Sequence, residues 1–314
     1  MSNVVEVNNL TKHFDVKAGI FSSSNNIVKA VDDISFSISK GESLGLVGQS
    51  GCGKTTTARL MTLLEETTSG EIKYLDKQSQ SLVSLDTLNE DDIQNFRSQV
   101  QMIFQDPYES LNPRWSIKNI VAEPLNIHNL GSEDDRVEAV KEMLTTVGLT
   151  PPENYLDRYP HELSGGQRQR VSIARALIMK PSFVICDEPT SMLDVSIRIS
   201  IMDLMLDLAK DLGVSYLYIT HDLAVARYMC ERIAVMFNGK ILEISETEEL
   251  LNNPIHPYTK RLLSSIPVPD PSYKRKKYDI DFTEINQIIR SSDGTDMIEV
   301  KKGHFISTKD FSNE

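Results

Sequence analysis

Long apolar runs are missing from this chain of 314 residues. No segment approaches the roughly 18 to 20 consecutive apolar residues that span a bilayer. The opening MSNVVEVNNL has neither the basic nor the apolar region of a signal peptide. Cysteine is scarce as well. Cys52, Cys186 and Cys230 are widely separated and form no CxxC pair, which favours a reducing compartment and speaks against structural zinc. Positive charge is in deficit, with 33 Lys and Arg against 45 Asp and Glu and a net charge of -12. A protein gripping a phosphate backbone needs a basic face to displace counterions, so nucleic acid is not an expected partner. Internal repeats are absent too. What remains, 40% apolar and 25% charged, fits a soluble globular protein of one large or two modest domains with a sizeable core.

Apolar periodicity then divides the chain. Val4, Val5 and Val7, and later Ile34, Phe36 and Ile38, alternate with polar residues as half-buried strands do. Between them KAGIFSSSNNIVKA carries a polar cluster, Ser22 to Asn26, that reads as a surface loop. SLGLVG is a short buried strand, followed by a glycine loop and a helix from about Lys54 to Leu64. Gly70 to Ser84 reads as antiparallel strand with polar turns, and QMIFQ (Gln101–Gln105) as another strand. From Asp106 to about Lys180 the pattern is helical. SFVICDE, ending in Asp187 and Glu188, is the continuous apolar run of a buried parallel strand. Helix (Ile197–Leu212), strand (SYLYIT) and helix (Leu223–Cys230) follow. Asn238-Gly239 between apolar runs signals a hairpin. Ser245 with Glu248 predicts a capping box for a helix over Glu249–Asn252. Beyond Pro267 the chain turns polar, a small appendage. Strand and helix alternate around the glycine loop, so the expected core is an α/β parallel sheet.

Three stretches carry chemistry. Gly48-Gln49-Ser50-Gly51-Cys52-Gly53-Lys54-Thr55 fits GxxxxGK[ST] between a strand and a helix. Its glycines let backbone N–H groups converge on phosphate oxygens, and the helix dipole adds positive potential. Lys54 would reach the β- and γ-phosphates and the Thr55 hydroxyl would hold Mg²⁺. Alkylation of Cys52 is expected to block ATP binding by filling this cradle. Asp187 can hold the water shell of Mg²⁺, and Glu188 beside it can polarise attacking water as a general base. Ser164 has N-cap chemistry. The helix after it has an apolar face at Val171, Ala174, Leu177 and Ile178, while two glycines expose N–H groups to an anion at its start.

The sequence Leu163-Ser164-Gly165-Gly166-Gln167, lying between a phosphate loop and an Asp-Glu strand end, resembles the nucleotide-binding subunit of ATP-binding cassette (ABC) transporters over roughly Val4 to Pro267. The resemblance implies an α/β P-loop NTPase fold of RecA type. It would have a parallel-sheet core, an antiparallel β subdomain and a helical signature subdomain at about 106–180, with 1–267 as the ATPase domain and 268–314 as an extension. In that family two subunits pack head to tail, so Ser164, Gly165, Gly166 and Gln167 would touch ATP on the partner's phosphate loop. Phe14 looks like the aromatic that stacks on adenine. Gln105 resembles the glutamine that senses Mg²⁺ and attacking water, and Thr56 would sit near the α-phosphate. Asp194 matches the loop that communicates across the dimer, where Met192 departs from the usual alanine. His221, in YITHDL, matches the histidine that contacts the γ-phosphate. The implied metal ligands are Thr55, Gln105 and Asp187.

DPYESLNPR after Gln105 and NNPIHPYTKRLLSSIPVPDP from Asn252 are similar to the oligopeptide/dipeptide permease ATPase subfamily. The KAGIF loop and the tail IEVKKGHFISTKDF are similar to its shorter F-type subunits from Gram-positive bacteria. No cysteine-rich tail follows, so no iron–sulfur cluster is expected. Lys274 to Lys277 read as a solvated basic run. The resemblance implies an ATPase paired with a related D-type subunit at the cytoplasmic face of the membrane. Two membrane permeases would lie above it, fed by an extracellular peptide-binding lipoprotein. Cargo stays open among oligopeptides, dipeptides, nickel or a metallophore. A soluble ABC ATPase acting on DNA or ribosomes is the other class. Against it stand the acidic charge, the single phosphate loop and the lack of sustained heptads between Lys54 and Ser164.

Overall fold

A computed structural model describes residues 2–17, 25–264 and 297–308. The first two strands, β1 (Asn3–Lys17) and β2 (Asn25–Ser39), pair antiparallel. They are longer than the alternation of apolar residues suggests: Asn25 and Asn26 of the polar cluster are already in β2, opposite Lys17 and Val16, and the rest of that cluster lies outside the described residues. Next come β3 (Ser43–Val47) and α1 (Lys54–Met61), which stops short of the expected Leu64, with Leu63 at φ +55°. The strands β4 (Ser69–Leu75) and β5 (Leu82–Ser84) complete a four-stranded antiparallel sheet in the order β2-β1-β4-β5.

α2 (Glu90–Gln99) has no apolar stripe of its own to announce it, and the sequence reading misses it. Its sequence signal is the cap: the Asn89 side chain accepts from Asp92 N, and three acidic residues fill the first turn. β6 (Val100–Ile103) returns to the core. The helical stretch follows as α3 (Pro107–Ser110), α4 (Ile117–Ile127), α5 (Glu133–Thr146), α6 (Glu153–Leu156) and α7 (Gly165–Leu177). The remaining core alternates β7 (Phe183–Asp187), α8 (Val195–Leu212), β8 (Ser215–Thr220), α9 (Leu223–Met229), β9 (Arg232–Phe237), β10 (Lys240–Glu246), α10 (Thr247–Asn252) and α11 (Pro257–Ser264).

An eight-stranded sheet runs β11-β12-β10-β9-β3-β8-β7-β6, where β11 (Met297–Lys301) and β12 (His304–Ser307) form a C-terminal hairpin. The neighbours from β9 to β6 are parallel and the rest antiparallel. The continuous apolar runs in β7 and β8 now have a cause. Val184, Cys186, Tyr216 and Tyr218 enter one core, against the helices α4, α5, α7 and α8. Phe183, Ile185, Leu217 and Ile219 enter a second, against α1 and the antiparallel sheet. A strand covered on both faces has no polar side to alternate. Among the described residues no helix is long and apolar enough to cross a membrane.

One local expectation fails. Ser245 does not cap α10: Glu246 holds the N-cap position, and no side-chain cap bond forms there. Ser245 is instead a buried strand residue of β10, opposite Ile233 of β9. The helix start is fixed by Thr247, whose hydroxyl donates to Cys230 O at 2.6 Å.

Candidate functional site

β3 delivers the chain into the loop Gly48–Thr55, and α1 begins on Gly53 without any side-chain cap. Its first N–H groups are therefore left for an external acceptor. Packing, not turn geometry alone, demands the glycines. A Cβ on Gly48 would lie 2.1 Å from Met236 O, and one on Gly53, at φ +113°, 2.2 Å from Ala30 O. Lys54 is 5% exposed and curls back to donate to Gly48 O at 2.7 Å and Gln49 O at 2.9 Å. Cys52 lies behind the loop, buried, and burial raises its thiol pKa. A reagent thus meets a neutral, covered thiol, and the expected alkylation needs the loop to open first.

Parallel strand ends bring acids to this loop. Burial pushes the Asp187 carboxyl up, as does the charge of Glu188, while the nearby Thr55 hydroxyl works the other way. Its Oδ1 is shut off from solvent with no hydrogen-bond partner. Glu188 sits at φ +45°, a conformation unfavourable for any residue with a Cβ. Its backbone holds it there: its N–H donates to Ile219 O at 2.9 Å, and its carbonyl accepts the Ser191 hydroxyl at 3.0 Å. The turned side chain then meets Gln105 Nε2 at 3.3 Å and His221 Nδ1 at 3.0 Å, one on each carboxylate oxygen. So β6, β7 and β8 each contribute one polar side chain at or just beyond their C-terminal ends.

These groups surround an open cleft of about 900 Å³. Ser50, Gly51, Gly53, Lys54, Thr55 and Thr56 line it from the loop side, facing Gln105, Glu188 and His221. Its far wall is Ile27, Val28, Lys29 and Ala30 of β2, with Ser191, Met192 and Asn238. The β2 residues were not anticipated. Their signal was weak but present: Ile27 and Val28 are exposed apolar residues next to a polar cluster. Phe14 is not among the cleft-lining residues. It stands opposite Val28 in the β1–β2 register, on the same sheet face, with Lys12 Nζ 4.8 Å from its ring centroid. Gly48, Cys52 and Asp187 are buried behind the loop and Gln49 is exposed; none of the four is among the cleft-lining residues.

A family described as ABC transporter matches residues 31–191, and one described as oligopeptide/dipeptide transporter, C-terminal region, matches 242–288. The oligopeptide transport ATP-binding protein OppF of Bacillus subtilis is 46% identical over 96% of this chain and 95% of its own length. AmiF of Streptococcus pneumoniae, also described as an oligopeptide transport ATP-binding protein, is 45% identical, with 88% of each chain covered. Among solved structures, a dimeric post-hydrolysis state of the ATP-binding cassette MJ0796 bound to ADP and Pi is 30% identical. It superposes with a TM-score of 0.66 over 77% of this chain and 98% of that one. The chain belongs to the ABC transporter ATPase family. It binds ATP and couples its hydrolysis to transport.

In this ABC ATPase the second glycine-rich helix start is built differently from the first. Ser164 Oγ accepts from Gln167 N at 3.3 Å, and Gln167 Oε1 accepts from Ser164 N at 3.0 Å, a closed capping box at the start of α7. None of Ser164, Gly165, Gly166 or Gln167 lines the cleft. They rest on the turn into α8, where Gly165 faces Leu193 and Gly166 faces Ile197. Asp194 opens α8 exposed, with no side-chain cap bond, between exposed Met192 and Val195.

Proposed function

We propose that this chain is the ATP-hydrolysing subunit of an oligopeptide importer and that its catalytic centre is completed by a second cassette. One observation carries the reading. The cleft gathers the phosphate loop with Gln105, Glu188 and His221, while the exposed N-terminus of α7 lies outside it, supported from behind and open in front. A helix start with free N–H groups and no anion of its own suits the nucleotide of a neighbour. The dimeric state of MJ0796 supports the pairing. The relatives' oligopeptide descriptions support the cargo, and in this reading the subunit works beneath membrane permeases at the cytoplasmic face. A related D-type subunit is the expected partner.

The mechanism follows from the side chains. Lys54 exchanges its two carbonyl partners for phosphate oxygens, and the loop amides neutralise the charge that develops on them. Glu188 takes up the proton of an attacking water. Gln105 and His221, one on each carboxylate oxygen, hold that base in line, and His221, more than half exposed, faces the transferred phosphoryl group. Thr55 with Asp187 and Gln105 fits a Mg²⁺ that keeps most of its ligands as water and phosphate. The orphaned Asp187 Oδ1 is the fitting feature, being an acceptor with no donor in the protein. The ion would supply neutralisation of phosphate charge. Ile27, Val28 and Phe14 offer the apolar surface for the base.

The test is a mixed pair. With Ser164→Ala on this chain and a wild-type partner, ATP on the partner's loop should lose its cap while ATP on this chain's loop keeps it. Single-turnover hydrolysis, with the other site inactivated in turn, distinguishes the two sites. Equal rates at both would refute the shared centre. Uptake of labelled peptides of graded length in a deletion strain tests the cargo.

A further inference from the structure

The C-terminal stretch Asn252–Leu263 and the hairpin 297–308 have no part in the chemistry above, yet the structure ties both to the floor of the phosphate loop. Glu243 on β10 is fully buried. A carboxylate in that position is tolerable only when donors surround it, and three do. Ile255 N and His256 N donate to it at 2.8 and 3.1 Å, and His304 Nε2 lies 2.7 Å away. His304, 1% exposed on β12, has its other nitrogen 3.8 Å from Glu249 Oε1, which in turn pairs with Lys301 at 2.8 Å. One carboxylate thus holds the hairpin and the residues that start α11.

The start of α11 then places an aromatic. His256 acts as N-cap, its Nδ1 accepting from Tyr258 N at 3.0 Å. That bond sets the Tyr258 ring against Phe237, with centroids 4.4 Å apart. Phe237 leads into the turn whose Gly239 N donates to Cys52 O at 2.9 Å, and its neighbour Met236 is the floor beneath Gly48. The Tyr258 oxygen is closed off from solvent and makes no hydrogen bond of normal geometry among the described residues. Burial pushes its phenol up, and the backbone amide of Gln49, inside the loop, works against that rise.

We propose that Tyr258 is a positioning residue for the phosphate loop, and that the C-terminal hairpin fixes its place through the buried His304–Glu243 pair. Tyr258 touches no reacting atom; it braces the loop from behind, so that the amides of Gly48–Thr55 converge before nucleotide arrives. The proposal rests on reading that loop as the nucleotide cradle.

The experiment uses the full-length chain. Mg-ADP affinity by titration and hydrogen exchange of loop amides without nucleotide are measured for Tyr258→Ala, Tyr258→Phe and His304→Ala. Phe96→Leu, in the antiparallel subdomain, serves as a control matched for loss of melting temperature. Tyr258→Ala should weaken ADP by about five- to tenfold and speed loop exchange. Tyr258→Phe, which keeps the ring, should lose only about twofold. His304→Ala should give a smaller loss that does not add in the Tyr258→Ala background, as expected for groups acting as one unit. In the assembled complex KM for ATP should rise while kcat stays within about twofold. Unchanged loop exchange in folded Tyr258→Ala, losses no greater than those of Phe96→Leu, or full additivity with His304→Ala would each overturn the proposal. If Tyr258→Ala does not fold, the Tyr258→Phe comparison with the control decides alone. Failure of the wild-type chain to bind ADP would sink the cradle reading instead, and the exchange data would still report on the brace.

Discussion

The molecule begins a helix on glycine-rich sequence twice, and the two starts are opposites. At α1 no side chain caps the helix, the first turn holds no acid, and backbone oxygens of β2 and β9 lie hard against the loop's glycines. At α7 a serine and a glutamine close a capping box, and the glycines meet only the ends of Leu193 and Ile197 side chains. The first start is unfinished and rigidly backed, as a resident anion requires. The second is finished by its own residues, and none of them lines this chain's cleft. On the proposed reading, similar composition serves two ligand geometries, one within the chain and one between chains.

The largest break in that comparison should come at Gly53. A methyl group there strikes a backbone oxygen in a conformation already wrong for alanine. Gly53→Ala should cost the isolated chain at least about a hundredfold in ATP affinity, the loss expected when a preorganised set of donors is displaced. Ser164→Ala should leave isolated-chain affinity within about twofold, yet slow the assembled pair by about a hundredfold, as loss of a single oriented donor does. Equilibrium titration of the single chain beside steady-state turnover of the complex checks both. A Ser164→Ala chain that binds ATP poorly on its own would erase the distinction between the two starts. Glu188→Gln falls in the same size class for turnover, about 10² to 10⁴, with ATP binding retained and the closed pair accumulating.

Much of this was legible in the sequence because the informative residues are contiguous. GxxxxGKT, LSGGQ and the strand ending in Asp187-Glu188 each announce themselves within a few positions. The parallel core was legible for a similar reason, since doubly covered strands lose their alternation. What escaped depends on contacts made at long range. The strained φ of Glu188 comes from Ile219 on a neighbouring strand, and Ile27 and Val28 become a cleft wall only when β2 folds over the loop. The Ser245–Glu248 pattern misled because a local cap rule cannot tell a strand's last buried residue from a helix's first free one. The hairpin was hidden by composition: IEVKKGHFIS looks polar, yet its His304 is answered by Glu243, 61 positions away.

Asp187 sharpens the contrast at smaller scale, because unfinished floors cost stability. Its carboxyl is raised by burial, so between the ordinary carboxylate pKa and that raised value the folded chain binds more protons than the unfolded one. Stability from this group therefore falls as pH climbs through that window and stays reduced above it. Asp187→Asn should remove the penalty. The nucleotide-free chain should gain melting temperature at neutral pH. Below the ordinary carboxylate range the difference should vanish. The same variant should lose its Mg²⁺ requirement for tight ATP binding along with its activity. Scanning calorimetry across pH 3 to 7 separates this from a packing effect, which would not follow the titration.

The smallest structural effect should fall on Gly165, and it discriminates most finely between the two starts. A Cβ there would sit 3.6 Å from Leu193 Cδ2, ordinary van der Waals contact, and alanine is favoured over glycine inside a helix by up to about 1 kcal/mol. Gly165→Ala should therefore leave the melting temperature of the single chain unchanged or slightly raised, with ATP affinity untouched. Its cost should be felt only in the assembled pair, where the added methyl beside Leu193 stiffens the helix start and leaves its N–H groups less free to adjust to a phosphate held by the other subunit. A stable, ATP-binding chain whose complex turns over slowly is the signature of a glycine kept for a neighbour. A Gly165→Ala complex as fast as the wild type would mean that the outward face meets nothing. The open front of α7 would then be surface, and the division of labour between the two helix starts would have to be abandoned.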